Sequence, residues 1–361
     1  MTAFIPGLEL SRLFYVEQIR PLLSESFPGL AHSAALIGRG SDVLGFDTPR
    51  STDHDWGPRL QVFLADPAPA ADVSAMLSAR ISAQFRGYRT VFPASGADPA
   101  GATHWVGVAT LDDWLAGALG FDPRAGVGLP DWLATPTQVL AELTGGAVFH
   151  DGLARLPQGG LGAARAALAW YPPDVWRYVL ACQWQRIDQE EPFPGRCAEV
   201  RDDLGSALVA ARLVRDVVRL TLLMQRSYPP YSKWLGTAFG RTPAAAGMQP
   251  LLMGALTAAS WRDREDSLCA AYEAAARLHN ELGLTEHVGP AVRPTFWDRP
   301  FRVLAAARFT TALCAAISDE RIRALPLTGA VDQFTDSTDA IGDRRLLRAA
   351  IATQLGEPAP A

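Results

Sequence analysis

Two aspartates, Asp53 and Asp55, flank His54 in the run "STDHDW", and eleven residues separate Asp53 from Ser41, which follows Gly40 in "LIGRGS". If the Asp-His-Asp run opens a strand, alternation sends residues i and i+2 to one face, so both carboxylates project together. Clustered carboxylates repel one another unless a cation joins them. Mg2+ suits the role, being hard, oxygen-seeking and commonly shared between carboxylates and substrate phosphates. A Gly-Ser turn lets backbone N–H groups and a hydroxyl approach a phosphate closely. The spacing therefore predicts a site for a nucleoside triphosphate and its metal. Gly40 and Ser41 would cradle phosphates, and Asp53 and Asp55 would hold Mg2+.

A second group of residues sits far along the chain. "SYPPYSKWLGTAFG" (227–240) combines two prolines, Tyr228, Tyr231, Trp234 and Lys233, the only lysine in a chain otherwise supplied with arginines. Lysine is a compact point charge suited to a phosphate. Lys233 is thus a candidate contact for the triphosphate or an anionic substrate, with the three aromatic residues as a wall. Arg212, Arg215, Arg219 and Arg226 recur at helical spacing, as a solvated face or a phosphate-facing stripe. His54, on a strand, would point away from its two neighbours. His150-Asp151 reads as a turn.

These residues need elements to position them. Residues 8–27 carry Leu10, Leu13, Phe14, Ile19, Leu22 and Leu23 at near-helical spacing. "HSAALIG" reads as a buried strand entering the Gly-Ser turn, and "RLQVFLAD" (59–66) as a second strand. A helix over 71–85 and strands in "YRTVFP" and "HWVGVATL" (104–111) complete a small mixed-sheet domain. Gly and Pro then become frequent, and 116–169 reads as an irregular connecting segment with short helices. From 170 the pattern turns helical. "PPDVWRYVLACQWQRIDQEE" and 198–228 are the longest periodic stretches, followed by 245–259, 264–282, 300–318 and 341–354. The expected fold class is α+β, with domains 1–115 (mixed sheet), 170–355 (helical bundle) and a disordered tail over 356–361.

Composition narrows the function classes. The chain has 361 residues, 48% hydrophobic and 20% charged, with net charge −5. An acidic total argues against a salt-driven grip on long nucleic acid. No apolar run approaches the ~18 residues of a spanning helix, and the N-terminal stretch lacks the basic and apolar regions of a signal peptide, so no membrane association is expected. Cys182, Cys197, Cys269 and Cys314 are far apart and form no CxxC pair, which fits reduced thiols and a cytoplasmic location. P-loop, HExxH and GxSxG signatures are absent. Nothing in the sequence sets the oligomeric state.

The pairing of "LIGRGS" with "STDHDW" resembles the signature of the polymerase-β-type nucleotidyltransferase superfamily, whose small members also place helices after a short mixed domain. Within it, "GSDVLGFDTPRSTDHDWGPR", "GGAVFHD", "QWQRIDQEEPFPGR" and "PPYSKWLGTAF" resemble a bacterial family catalogued as a domain of unknown function, 4037. The resemblance covers nearly the whole chain. It implies transfer of a nucleoside monophosphate from an NTP to a hydroxyl on a small-molecule or protein acceptor, with Mg2+ and release of pyrophosphate. The superfamily usually adds a third carboxylate on a later strand, and "HWVGVATL" has none. Asp112 and Asp113 follow it, but both sit where a helix should begin. The resemblance leaves the base to Glu190 or Glu191 in the helical half, or to His104. A nucleotide sensor without efficient transfer is the alternative, and a tRNA or other RNA acceptor a second.

Overall fold

The computed structural model describes residues 4–92 and 103–358. The chain divides into two units, Met1–Gly128 with Val139–Ala169, and Leu129–Gln138 with Trp170–Ala361.

In the first unit the N-terminal periodicity becomes α1 (Gly7–Phe14), a π turn over Tyr15–Ile19, and α2 (Arg20–Ser26). Strands β1 (His32–Leu36) and β2 (Leu60–Leu64) follow, then α3 (Ala70–Arg80). Short strands come next: β3 (Gln84–Phe85), β4 (Tyr88–Arg89), β5 (Val91–Phe92) and β6 (Thr103–His104). The expected helix over 71–85 therefore stops early, and its last residues pair with β4. β7 (Val106–Thr110) leads into α4 (Leu111–Leu119).

The main sheet has the order β7-β2-β1-β8, with β8 at Ala147–Asp151. β2 is antiparallel to β1 and parallel to β7. One face carries Ala34, Leu60, Val62 and Leu64, which pack with Leu10, Phe14, Ile19 and Leu23 from the N-terminal helices and Val73 and Leu77 from α3. Alternation sends Phe63 to the other face, where its ring meets Trp114 of α4 edge-on at 5.3 Å. Cover on both faces explains why β1 is buried at all five positions, His32 and Ser33 included.

The connecting segment 116–169 carries short helices, as expected, and one strand outside that expectation. α5 (Leu129–Ala134), α6 (Thr137–Thr144), β8 and α7 (Leu161–Ala167) all lie within it. The expected turn at His150-Asp151 is the end of β8, an edge strand paired antiparallel with β1 (Ser33 opposite Asp151). Asp151 accepts the Ser33 hydroxyl at 2.6 Å and the Gly162 N–H at 2.9 Å, tying the sheet edge to α7.

The second unit is helical. α8 (Pro173–Glu190) begins with proline in its first turn, where the missing N–H costs nothing. α9 (Phe193–Glu199) precedes α10 (Asp203–Met224), whose Asp202 N-cap accepts the Gly205 N–H at 2.7 Å and fixes a later start than the expected 198. Then come α11 (Ser232–Gly240), α12 (Ala245–Thr257), α13 (Trp261–Glu281) and α14 (Ala307–Ala316). Short α15 (Glu320–Arg323), α16 (Val331–Phe334) and α17 (Thr338–Gly342) lead to α18 (Arg344–Leu355). α8 packs on α10 and α14, and α13 on α10 and α12. Trp184 stacks on Phe309 at 4.5 Å between α8 and α14. No helix among the described residues is long and apolar enough to cross a membrane. The four cysteines are free thiols, two of them buried. Of the expected tail, residues 359–361 lie outside the described residues.

Candidate functional site

The Gly-Ser turn follows β1 as expected. Residues 41–45 form a turn closed by Phe46 N–H on the Ser41 carbonyl at 2.7 Å and Gly45 N–H on the Asp42 carbonyl at 3.2 Å. The backbone N–H groups of Gly40 and Ser41 donate to no acceptor among the described residues. Gly40 has φ +144°, and a Cβ there would overlap the Arg59 guanidinium and the Asp42 carboxylate. Glycine is required at this position by close approach as well as by conformation.

The four aspartates of the stretch fall into two classes. Asp42 is 1% exposed, and both its oxygens accept from Arg59: Nε at 3.0 Å and Nη2 at 2.5 Å. Arg59 Nη2 also donates to the Arg39 carbonyl at 2.7 Å, so one guanidinium spans the turn. Asp47 Oδ2 accepts the Gly7 N–H at 2.6 Å and the Trp56 indole N–H at 3.0 Å, tying the loop to α1. Asp53 and Asp55 are exposed and hold no other element in place.

The local backbone of Asp53 and Asp55 differs from the expectation. They do not open β2. Thr48 and Pro49 start a 3-10 turn over Pro49–Asp53, a helix-starting pair whose effect on a short loop is to curl it. His54 is extended, Asp55 adopts φ +48°, and β2 begins only at Leu60. Asp tolerates the left-handed region better than most residues, at a cost in strain. Strand alternation therefore does not set the relation of the two carboxylates. His54 does not point away: its Nδ1 lies 2.7 Å from Asp53 Oδ1, and Arg50 Nε is 4.0 Å from Oδ2. The His54 hydrogen bond holds the Asp53 carboxyl below its ordinary range, so it is ionised at neutral pH.

Among the described residues no third carboxylate completes a metal-binding group with them, and no group of three His, Cys, Asp or Glu is placed to hold a metal ion. Asp112 pairs with Arg124 at 2.5 Å, and Asp113 exchanges hydrogen bonds with the Thr110 N-cap of α4, the helix-start role expected for it. His104 is buried, lies 3.0 Å from the Ser78 hydroxyl and accepts the Val106 N–H, so both ring nitrogens are engaged in packing.

In the helical unit, the acidic end of α8 works as a cap. Glu191 is buried and accepts the N–H groups of Leu304 (2.6 Å) and Ala306 (3.0 Å), and Asp188 accepts that of Ala307 (2.8 Å). Together they satisfy orphan amides at the start of α14. Burial pushes the Glu191 carboxyl up to about 7, the range of a general base, but two backbone amides occupy its oxygens and desolvation accounts for the shift. Glu190 pairs with Arg212 at 3.1 Å. Arg215 faces Asp336 at 3.6 Å, and Arg219 donates to the Asp332 carbonyl. Arg226 lies over the Trp176 ring at 4.7 Å. Each arginine of the stripe thus has a partner within its own unit.

Lys233 is exposed in the first turn of α11, its ammonium 4.9 Å from the Trp234 ring centroid. The aromatic wall expected around it does not form as one surface. Tyr228 is buried against Trp170 (4.6 Å) and Tyr171 (5.3 Å), whereas Tyr231 is exposed. Sequence reasoning passed over Asp42 and Arg59. The available signal was an acid beside the Gly-Ser pair and a base at the head of β2, at positions that meet only if β1 and β2 are antiparallel neighbours.

Comparison with known proteins adds one match. The family described as Domain of unknown function (DUF4037) matches residues 132–235, a span that includes α8, α10 and the start of α11 but not the Gly40–Asp55 loop. No curated protein and no solved structure matches the chain.

Proposed function

We propose that the first unit binds a Mg2+–nucleoside triphosphate at the Gly40–Asp55 loop and transfers its nucleoside monophosphate to a hydroxyl of a small-molecule or protein acceptor. One observation carries this reading. Within a single loop, Asp42 and Asp47 are consumed by packing, while Asp53 and Asp55 stay exposed and the Gly-Ser turn of the same loop has unengaged amides. The donor set suits Mg2+, since two carboxylates offer hard oxygen ligands and leave positions for water and phosphate oxygens. When bound, the metal supplies charge neutralisation on the triphosphate. Asp53 and Asp55 hold it, and the amides of Gly40 and Ser41 receive phosphate oxygens. In the transfer, the acceptor oxygen forms a bond to the α-phosphorus, the α–β bridging P–O bond breaks, and pyrophosphate leaves. The hydroxyl proton passes to solvent. Catalysis here is chiefly positioning and electrostatics. Glu191 has no part in it, because its oxygens are committed to α14.

A second reading is favoured by the same census of carboxylates. With Asp42, Asp47, Asp112 and Asp113 all engaged, none of these four is left to activate the acceptor, and the loop would serve nucleotide sensing. The deciding experiment is pyrophosphate release from each of the four NTPs with Mg2+, with and without cell extract as acceptor source. Release that requires both extract and Asp53 is the expected result. Nucleotide binding without release across the panel would establish the sensor. Unchanged release in both Asp53→Asn and Asp55→Asn would refute the transferase site.

A further inference from the structure

We infer that Arg59 is a phosphate-binding residue, clamped by Asp42 so that its remaining donors are presented beside the Gly40–Ser41 turn. This rests on the nucleotide-binding reading of the loop and adds to it a residue outside the Gly-Ser and Asp-x-Asp pairs.

The two residues meet because β1 and β2 are antiparallel neighbours, which brings the residue just before β2 level with the turn just after β1. Arg59 Nε and Nη2 are taken by Asp42, and Nη2 also by the Arg39 carbonyl. Nη1 donates to no acceptor among the described residues, and the side chain keeps 15% exposure. The guanidinium lies against Gly40, where any Cβ would strike it. The guanidinium therefore borders the same turn as the unengaged N–H groups of Gly40 and Ser41.

The chemistry matches a phosphate oxygen. Guanidinium presents its donors in a fixed plane, which suits oxyanions, and it stays charged at all working pH. The bidentate clamp removes the rotational freedom that a surface arginine would lose on binding, so little ordering cost remains. Asp42 is the counter-ion beneath, buried and saturated, and does not compete for metal. A lysine at 59 would keep the charge but could not hold both Asp42 oxygens and the Arg39 carbonyl while offering a further donor.

The probe is inorganic tripolyphosphate in Mg2+-free buffer, titrated by calorimetry. Removing Arg59 alone leaves a buried carboxylate unpaired and risks unfolding. The informative variants are Arg59→Lys and the neutral pair Asp42→Asn/Arg59→Gln, checked for an unchanged circular-dichroism spectrum. Wild type is expected to bind, Arg59→Lys at least tenfold more weakly, and the neutral pair undetectably. If the folded variants bind tripolyphosphate within twofold of wild type, the Arg59 assignment is overturned and the loop reading survives. Wild type that binds Mg2+-NTP but not tripolyphosphate also overturns it. Wild type that binds neither removes the nucleotide site itself, and Arg59 with it.

Discussion

Two acidic stretches invite the same reading from sequence and differ in structure. "DQEE" at the end of α8 and "DHD" before β2 both gather carboxylates beside arginines. In the first, Asp188 and Glu191 cap α14 and Glu190 pairs with Arg212. In the second, Asp53 and Asp55 support no other element, and Asp55 sits in a strained left-handed conformation. A carboxylate that satisfies a buried amide is explained by folding. One left exposed at a conformational cost is not, and strain kept in this way is a reason to look for function.

The largest effect that would sharpen this contrast is on stability. Glu191→Ala strands two buried backbone amides and should cost ~3 kcal/mol in urea denaturation. A cost under ~1 kcal/mol would put Glu191 back among the candidate functional groups.

An effect of similar size belongs to His279, which is fully buried in the helical unit. It accepts the Trp184 indole N–H at 3.3 Å on Nδ1, and its Nε2 lies 3.1 Å from the Thr285 hydroxyl. Burial depresses it to about 4. A depressed histidine stabilises the fold above its unfolded value near 6.5, and this is lost as pH falls through 4. The helical unit should therefore lose up to about 3 kcal/mol between pH 6.5 and 4 from this group. His279→Gln should flatten that dependence. An unaltered pH profile would show that His279 is protonated without penalty.

Next comes Asp42→Asn, which keeps the shape but weakens the clamp on Arg59. It should lower stability by about 2 kcal/mol, as expected for a buried charge-assisted pair. The smallest effects should fall at the exposed pair. Asp53→Asn should change stability by no more than ~0.5 kcal/mol. Asp55→Gly should raise it slightly, by ~0.5 kcal/mol, because glycine adopts φ +48° without strain. A drop of several kcal/mol in either variant would mean that these aspartates are structural and would dissolve the comparison.

How much of this was legible in the sequence depends on the range of the forces involved. Long helices declare themselves through period, with proline in the first turn of α8 and the Ser260 cap of α13 as start signals. β1 and β2 do so through apolar runs bounded by turns. β8 escapes the sequence because His150-Asp151 reads as a turn, and five residues are too few for alternation to prevail without a partner strand in view. The Asp-x-Asp geometry was misread because Thr48-Pro49 curls the chain before β2, a local signal outweighed by the appeal of a strand pattern. Arg59 and Asp42 were invisible as a pair because seventeen positions separate them and only sheet pairing joins them. The roles of Asp188 and Glu191 depend on amides more than a hundred residues away, which no local pattern reports.

Under the proposed function, Asp53 is a ligand of the metal–nucleotide complex. Calorimetric titration of Mg2+-NTP into wild type and Asp53→Asn, with thermal midpoints measured on the same samples, tests it most directly. The account predicts at least a tenfold loss of affinity in Asp53→Asn with an unchanged midpoint. Equal affinities in the two proteins, or a wild type that binds none of the four NTPs, would contradict it.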